Sequence, residues 1–142
     1  MIVIPDVNVL VAVFRVDAAA HIACREWLEG RLVSRDAVGL PSIILSGFLR
    51  VVTHPRIFAR PSRIEKALEF TAGLLASAGV VALSPGQRHW EIFTGLCRST
   101  QARGNHVADA YLAALAIDGG AEFVIGDRDF ARFPGLRWRQ II

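Results

Sequence analysis

The chain has 142 residues, 53% hydrophobic and 20% charged with a net charge of +3, which excludes a disordered or collagen-like polymer and matches the length of one domain. A fold of this size buries roughly 70% of the surface its unfolded chain exposes, so it needs neither disulfides nor a structural metal for stability. Fifteen of the sixteen basic residues are arginine and only Lys66 is lysine, a bias that suits phosphate or carboxylate recognition and also follows from codon usage.

Residues 2–5 form a short apolar run that predicts a strand, and helical patterns follow over 8–14 and 19–32. Residues 37–40 suggest a second strand ending at Pro41. The stretch 42–53 is apolar nearly all round, as in a helix packed deep in a domain, and stops before His54-Pro55. Ser62-Arg63-Ile64-Glu65 has the S-x-x-E form of a capping box and opens a helix to about residue 78. After a strand at 80–83, Ser84-Pro85 supplies an N-cap and a first-position proline for a helix to about residue 98. Asn105 is expected to cap a helix over 107–117, which Gly119-Gly120 ends. A strand at 122–125, a short helical turn at 127–133 and an edge strand at 137–141 complete the chain.

This alternation predicts an α/β fold with a central, mainly parallel sheet of four to five strands flanked by helices, in a single domain over 1–142. The first residues have no basic leader, and no run reaches the 18 to 20 or so apolar residues of a membrane span. Cys24 and Cys97 form no C-x-x-C. A cytoplasmic location without membrane contact is expected, with both thiols buried. Trp27, Trp90 and Trp138 are expected in the core or at an interface.

Four of the seven aspartates fall at the ends of predicted elements: Asp6 after the first strand, Asp109 in the first turn of a late helix, and Asp127 and Asp129 after the strand that follows it. Each has a plain structural reading, as a turn former or as a charge favoured by a helix dipole. Together they suggest more, provided the strands concerned are neighbours, since ligands bind at the carboxyl ends of parallel strands. Two carboxylates about 4 Å apart repel by roughly 4 kcal/mol at an effective dielectric of 20, so a rim that gathers several needs shared protons or a cation. Oxygen ligands without thiolate or imidazole suit Mg²⁺, with Mn²⁺ as a substitute, and His21, His54, His89 and His106 show no zinc-site spacing. Such a site can activate a water and stabilise a leaving oxygen in phosphodiester hydrolysis.

The chain resembles the PIN-domain nucleases, in particular the VapC-type toxins of bacterial toxin–antitoxin pairs. The matching blocks are Pro5-Asp6-Val7-Asn8-Val9-Leu10, the segment from Phe48 to Arg56, His106-Val107-Ala108-Asp109-Ala110 with the alanine- and leucine-rich helix after it, and Gly126-Asp127-Arg128-Asp129-Phe130 running on to Leu136. The resemblance implies a Mg²⁺-dependent endoribonuclease that cuts RNA to stop translation, is restrained by a VapB-type antitoxin, and forms a homodimer. It assigns Asp6, Asp109 and Asp127 to the metal, Asp129 as a supporting acid, and Asn8 as the residue that orients Asp6 or its water.

Two positions depart from the family pattern. A glutamate often precedes the helical arginine by three residues; here that place is Gly47, before Arg50, and no other carboxylate stands between Ile43 and Thr53. Gly126 stands where many relatives carry Thr or Ser. The loss of one acid defines the alternative, a catalytically weak PIN-like module that binds RNA or antitoxin without cutting. Arg50, inside an apolar helix, is expected to pair with a carboxylate or cap carbonyls, with a role facing RNA or the antitoxin as the alternative. Arg128, Arg132, Arg137 and Arg139 are expected to form a phosphate-positioning rim or a solvated face.

Overall fold

The structure, a computed structural model, describes residues 1–126 and 129–141, leaving the side chain of Asp129 outside the description. In chain order the described elements are β1 (Ile2–Pro5), α1 (Val7–Phe14), α2 (His21–Leu32), β2 (Ala37–Pro41), α3 (Ser42–Val52), α4 (Ile64–Ala76), β3 (Val80–Leu83), α5 (His89–Thr100), α6 (Asn105–Asp118), β4 (Glu122–Ile125), a 3₁₀ turn (Asp129–Arg132) and β5 (Arg137–Gln140). The strands form one sheet in the order β3-β2-β1-β4-β5, and every neighbouring pair is parallel. The α/β architecture read from the alternation is therefore the one observed. No helix of the described residues is long and apolar enough to cross a membrane.

The central strands are apolar because helices cover a parallel sheet on both faces. Val3, Ile4, Phe123, Val124 and Ile125 are all buried. Phe14 at the end of α1, Phe48 on α3 and Phe70 on α4 meet with ring centroids 5.1 to 5.4 Å apart, which fixes these three helices to one another. Phe48 is fully buried, so its replacement by alanine would cost about 3–5 kcal/mol. On α6, Ala110, Ala113, Ala114 and Ala116 are buried beside Leu112 and Leu115, small side chains that let the helix lie close to its neighbours.

Four local expectations are corrected. Helix α3 is half buried, with Ile44, Phe48 and Val52 inside and Ile43, Ser46 and Arg50 exposed. The capping box does not form, because the N-cap of α4 is Arg63 and the Ser62 hydroxyl instead accepts from the Arg15 guanidinium at 3.0 Å. Helix α5 starts at His89 with Arg88 as N-cap, leaving Ser84 and Pro85 outside it. Helix α6 starts at Asn105, with Gly104 at φ 56° turning the chain into it; a side chain would strain that conformation. Trp27 and Trp138 are half buried as expected, whereas Trp90 is exposed.

Candidate active site

The strand order reverses between β1 and β4, and the crevice beyond the carboxyl ends of strands at such a point is where open α/β sheets bind ligands. Pro5 at the end of β1 pairs with Val124 of β4, and the Asp6 backbone N–H donates to the Val124 carbonyl at 2.9 Å. This proximity was the condition for reading the strand-end aspartates together. Asp6 lies in the bend from β1 into α1, where its Oδ1 accepts the Val7 N–H at 2.7 Å and its carbonyl accepts the N–H groups of Val9 and Leu10. The carboxylate is thereby held by the start of a helix on one side and the sheet on the other.

A cavity of about 510 Å³ opens at this point. Asp6 and Asn8 reach it from the β1–α1 end, Ser46 and Arg50 from α3, and Asn105 and Asp109 from the first turns of α6. Asp6 and Asp109 are half buried and Asn8, Ser46, Arg50 and Asn105 exposed. Of the predicted site residues, the structure brings Asp6, Asn8 and Asp109 together. Asp127 and the side chain of Asp129 lie outside the described residues, as does Arg128. Among the described residues no group of three His, Cys, Asp or Glu side chains converges on one point.

Arg50 departs from its expected role. Its side chain forms no hydrogen bond or ion pair among the described residues, and its exposed guanidinium borders the cavity that holds Asp6 and Asp109. The amphipathic seating of α3 explains this, since the helix turns Arg50 to the same side as Ile43 and Ser46.

Gly47 also gains a physical reason. A Cβ there would lie 2.9 Å from Cγ2 of Val7, closer than real Cβ contacts come. Helices α1 and α3 approach each other so closely that Val7, β-branched and stiff in a helix, fills the space a side chain at position 47 would need.

Arg137 and Arg139 face elsewhere. Arg139 pairs with Glu122 at 3.0 Å and Arg137 donates to the Gly120 carbonyl at 2.8 Å, so both reach towards the start of β4, at the opposite end of the strand from the cavity. The Arg132 guanidinium lies 5.4 Å from the Phe133 ring centroid.

Sequence reasoning missed Asn105 and Ser46 as cavity residues. For Asn105 a signal existed: it stands four residues before Asp109, which puts both on one face of a helix. Its reading as a cap hid that spacing. Ser46 had no such signal, because its exposure follows from how α3 is seated.

A PIN domain model matches residues 3–136 of the chain. Ribonuclease VapC43 of Mycobacterium tuberculosis is 43% identical over 134 residues, covering 94% of this chain and 91% of that protein. Ribonuclease VapC25 of the same organism is 37% identical over 132 residues, covering 93% of each. Among solved structures, VapBC2 from Rickettsia felis bound to a DNA fragment from its promoter superposes with a TM-score of 0.73 at 17% identity, covering 99% of this chain and 98% of that one. The sarcin-ricin loop cleaving toxin VapC20 of M. tuberculosis superposes with a TM-score of 0.67 at 16% identity, covering 95% and 98%. These two similarities concern the fold.

Proposed function

The chain belongs to the PIN-domain family, and from that premise we propose that it is a metal-dependent endoribonuclease, the toxin of a VapBC-type pair, that hydrolyses phosphodiester bonds in RNA and so stops translation. The observation that carries this reading is the meeting of Asp6 and Asp109 in one cavity beside Arg50, in a chain 43% identical to a VapC ribonuclease.

The donor set fits a hard divalent cation. Carboxylate, amide and hydroxyl oxygens line the cavity, and no His or Cys is among its lining residues. Asp6 and Asp109 would hold Mg²⁺, with Mn²⁺ as a substitute, and Asp127 would be the third ligand, supported by Asp129. Bound there, the cation supplies Lewis acidity and a water of lowered pKa. Arg50 binds a non-bridging oxygen of the scissile phosphate and holds it against the two acids. Asn8 and Asn105 donate and accept at the rim, positioning the attacking water and the ribose. The sheet and the start of α1 hold Asp6 in place, so the carboxylate need not reorganise when RNA arrives.

The partners that follow are RNA, a VapB-type antitoxin and a second copy of the chain. A cytoplasmic location belongs to the same reading.

The packing of Val7 against Gly47 favours a second reading, a binder that does not cut, because the space of a further acid is filled. Incubating purified, antitoxin-free protein with structured RNA, with Mg²⁺ or with EDTA, separates the two. Cleavage in Mg²⁺ that EDTA and Asp6→Asn both abolish supports the nuclease. RNA that is bound yet stays intact in Mg²⁺ supports the binder.

A further inference from the structure

Resting on the reading of an RNA-directed cavity, we infer that the turn joining α5 to α6 is a second phosphate-binding groove, which holds the backbone of single-stranded RNA next to the bond being cut. A depression of about 820 Å³ lies at this turn, bordered by Arg98, Gln101, Arg103 and His106. The three basic side chains are exposed, and none has an ion-pair partner among the described residues. Elsewhere Arg25, Arg63, Lys66, Arg88 and Arg139 each have a glutamate within 2.9 to 3.9 Å, while Arg35, Arg50, Arg56 and Arg60, which likewise have no ion-pair partner among the described residues, lie outside this depression. Among the described residues no Asp or Glu lines the groove. Two guanidinium forks without carboxylates beside them form a site for phosphate, which Arg binds in bidentate geometry.

The end of α5 is arranged so that it does not repel an anion. The carboxyl end of a helix carries negative partial charge on its unpaired carbonyls. Here Leu96 O accepts the Thr100 hydroxyl at 2.8 Å, Cys97 O accepts the Ala102 N–H at 3.0 Å, and Arg98 O accepts the Gln101 side-chain amide at 2.9 Å. Gln101 reaches this position through a left-handed backbone conformation, φ 49°.

The groove and the acidic cavity share the first turns of α6. His106 borders the groove, while its neighbour Asn105 and then Asp109 border the cavity. An RNA strand whose scissile phosphate lies against Asp6 and Asp109 therefore passes the α5–α6 turn with an adjoining phosphate. A protein partner fits less well, because the groove offers Cys97 and Ala102 but no large apolar side chain to anchor one.

The test is binding of a fluorescein-labelled, single-stranded 12-nucleotide RNA of mixed sequence, followed by anisotropy in EDTA at several salt concentrations. Under these conditions nothing is cut and binding is read alone. Arg98→Ala/Arg103→Ala should weaken binding about tenfold and lower the slope of log K against log salt by about 1.4, the loss of two phosphate contacts at about 0.7 each for a single strand. Arg98→Lys/Arg103→Lys should keep the slope, and Arg25→Ala/Arg35→Ala, with the same change in net charge, should leave binding as in wild type. Matching melting temperatures would show that all variants fold. An unchanged slope in the first variant, an equal fall in the charge-matched control, or no binding by wild type would each overturn the inference. So would normal RNA binding by a groove variant that no longer copurifies with a coexpressed antitoxin, which would give the groove to a protein. Cleavage of the same RNA in Mg²⁺ is measured separately: binding through the groove without cleavage would refute the nuclease and leave the groove standing.

Discussion

The Asp6 N–H donates to the Val124 carbonyl at 2.9 Å, and this bond joins the end of the first strand to the end of the fourth. It extends the β1–β4 ladder by one step beyond Pro5 and fixes Asp6 at the rim of the cavity that Asp109 enters from α6. Asp6 is thus tied to a buried central strand of the sheet.

Asp6→Asn and Asp109→Asn should each keep the fold and lower RNA cleavage by at least about 100-fold, the scale lost when one preorganised electrostatic group is removed. In wild type, added Mg²⁺ should raise the melting temperature, because a ligand that binds only the folded state stabilises it. Both variants should lose that rise. Scanning calorimetry with and without Mg²⁺, beside a cleavage assay, checks the pair of effects; an intact Mg²⁺ shift in both variants would remove these aspartates from the metal site.

Gly47→Glu should not simply restore a missing acid. Its Cβ would press on Val7 Cγ2, and overpacking of this kind costs about 1–3 kcal/mol. Val7→Ala in the same chain should recover most of that loss by opening the space. Urea denaturation of the single and double variants measures the coupling, and additive effects would show that the two positions do not meet.

Arg50→Ala should change stability by no more than about 0.5 kcal/mol, since the side chain is exposed and has no partner among the described residues. RNA affinity should fall about tenfold, in line with one lost charge-assisted hydrogen bond. Arg50→Lys should restore part of the affinity. A large loss of stability with unchanged RNA binding would return Arg50 to the structural role that its apolar helix suggests.

Arg15 closes the segment between α3 and α4. Its guanidinium lies 4.0 Å from the Phe58 ring centroid, donates to the Arg60 carbonyl at 2.8 Å and to Ser62 Oγ at 3.0 Å, and pairs with Asp17 at 2.7 Å. Arg15→Ala should cost about 2 kcal/mol, a charged hydrogen-bond network lost at a largely buried side chain. Asp17 is different, because it is solvent-exposed. Its hydrogen bond from Arg15 holds its carboxyl below the usual range, so any stabilisation from the pair is present above the unfolded carboxylate pKa and lost as pH falls through the lower folded value. Thermal melts from pH 7 down to pH 3 should show a smaller acid-side decline in Asp17→Asn than in wild type.

Cys24 is buried and burial pushes its thiol up, which lowers the fraction of reactive thiolate at neutral pH. Cys97 is half-exposed at the α5–α6 groove. Iodoacetamide at pH 7.5 should therefore modify Cys97 first and reach Cys24 only on unfolding, with mass spectrometry reporting the order. Rapid modification of Cys24 in the folded chain would contradict its burial.

Much of the fold was legible because the first four strands are short, mostly apolar runs closed by a turn residue, a purely local pattern. Residues 2–5, 80–83 and 122–125 are strands with the expected bounds. Helix starts were less legible, since capping side chains have other partners to choose from. Ser62 bonds to Arg15 across 47 residues instead of capping α4, and Asn105 enters its helix behind Gly104 and turns towards the cavity. At the site, Asp6, Asn8 and Asp109 were legible from position and family resemblance, whereas the roles of Arg50 and Ser46 depended on which way α3 is rotated.

By itself the sequence determined the order of strands and helices, the placing of acids at their ends, the missing carboxylate at Gly47, and the family. These properties depend on neighbours along the chain and on side-chain chemistry. Tertiary structure alone decided that β1 lies beside β4, that Val7 fills the space at Gly47, and that Arg98 and Arg103 border one groove at the α5–α6 turn while Arg137 and Arg139 reach towards the start of β4. Each of these depends on contacts between segments far apart in sequence, where strand pairing, helix rotation and competition for ion-pair partners are settled by packing the whole core.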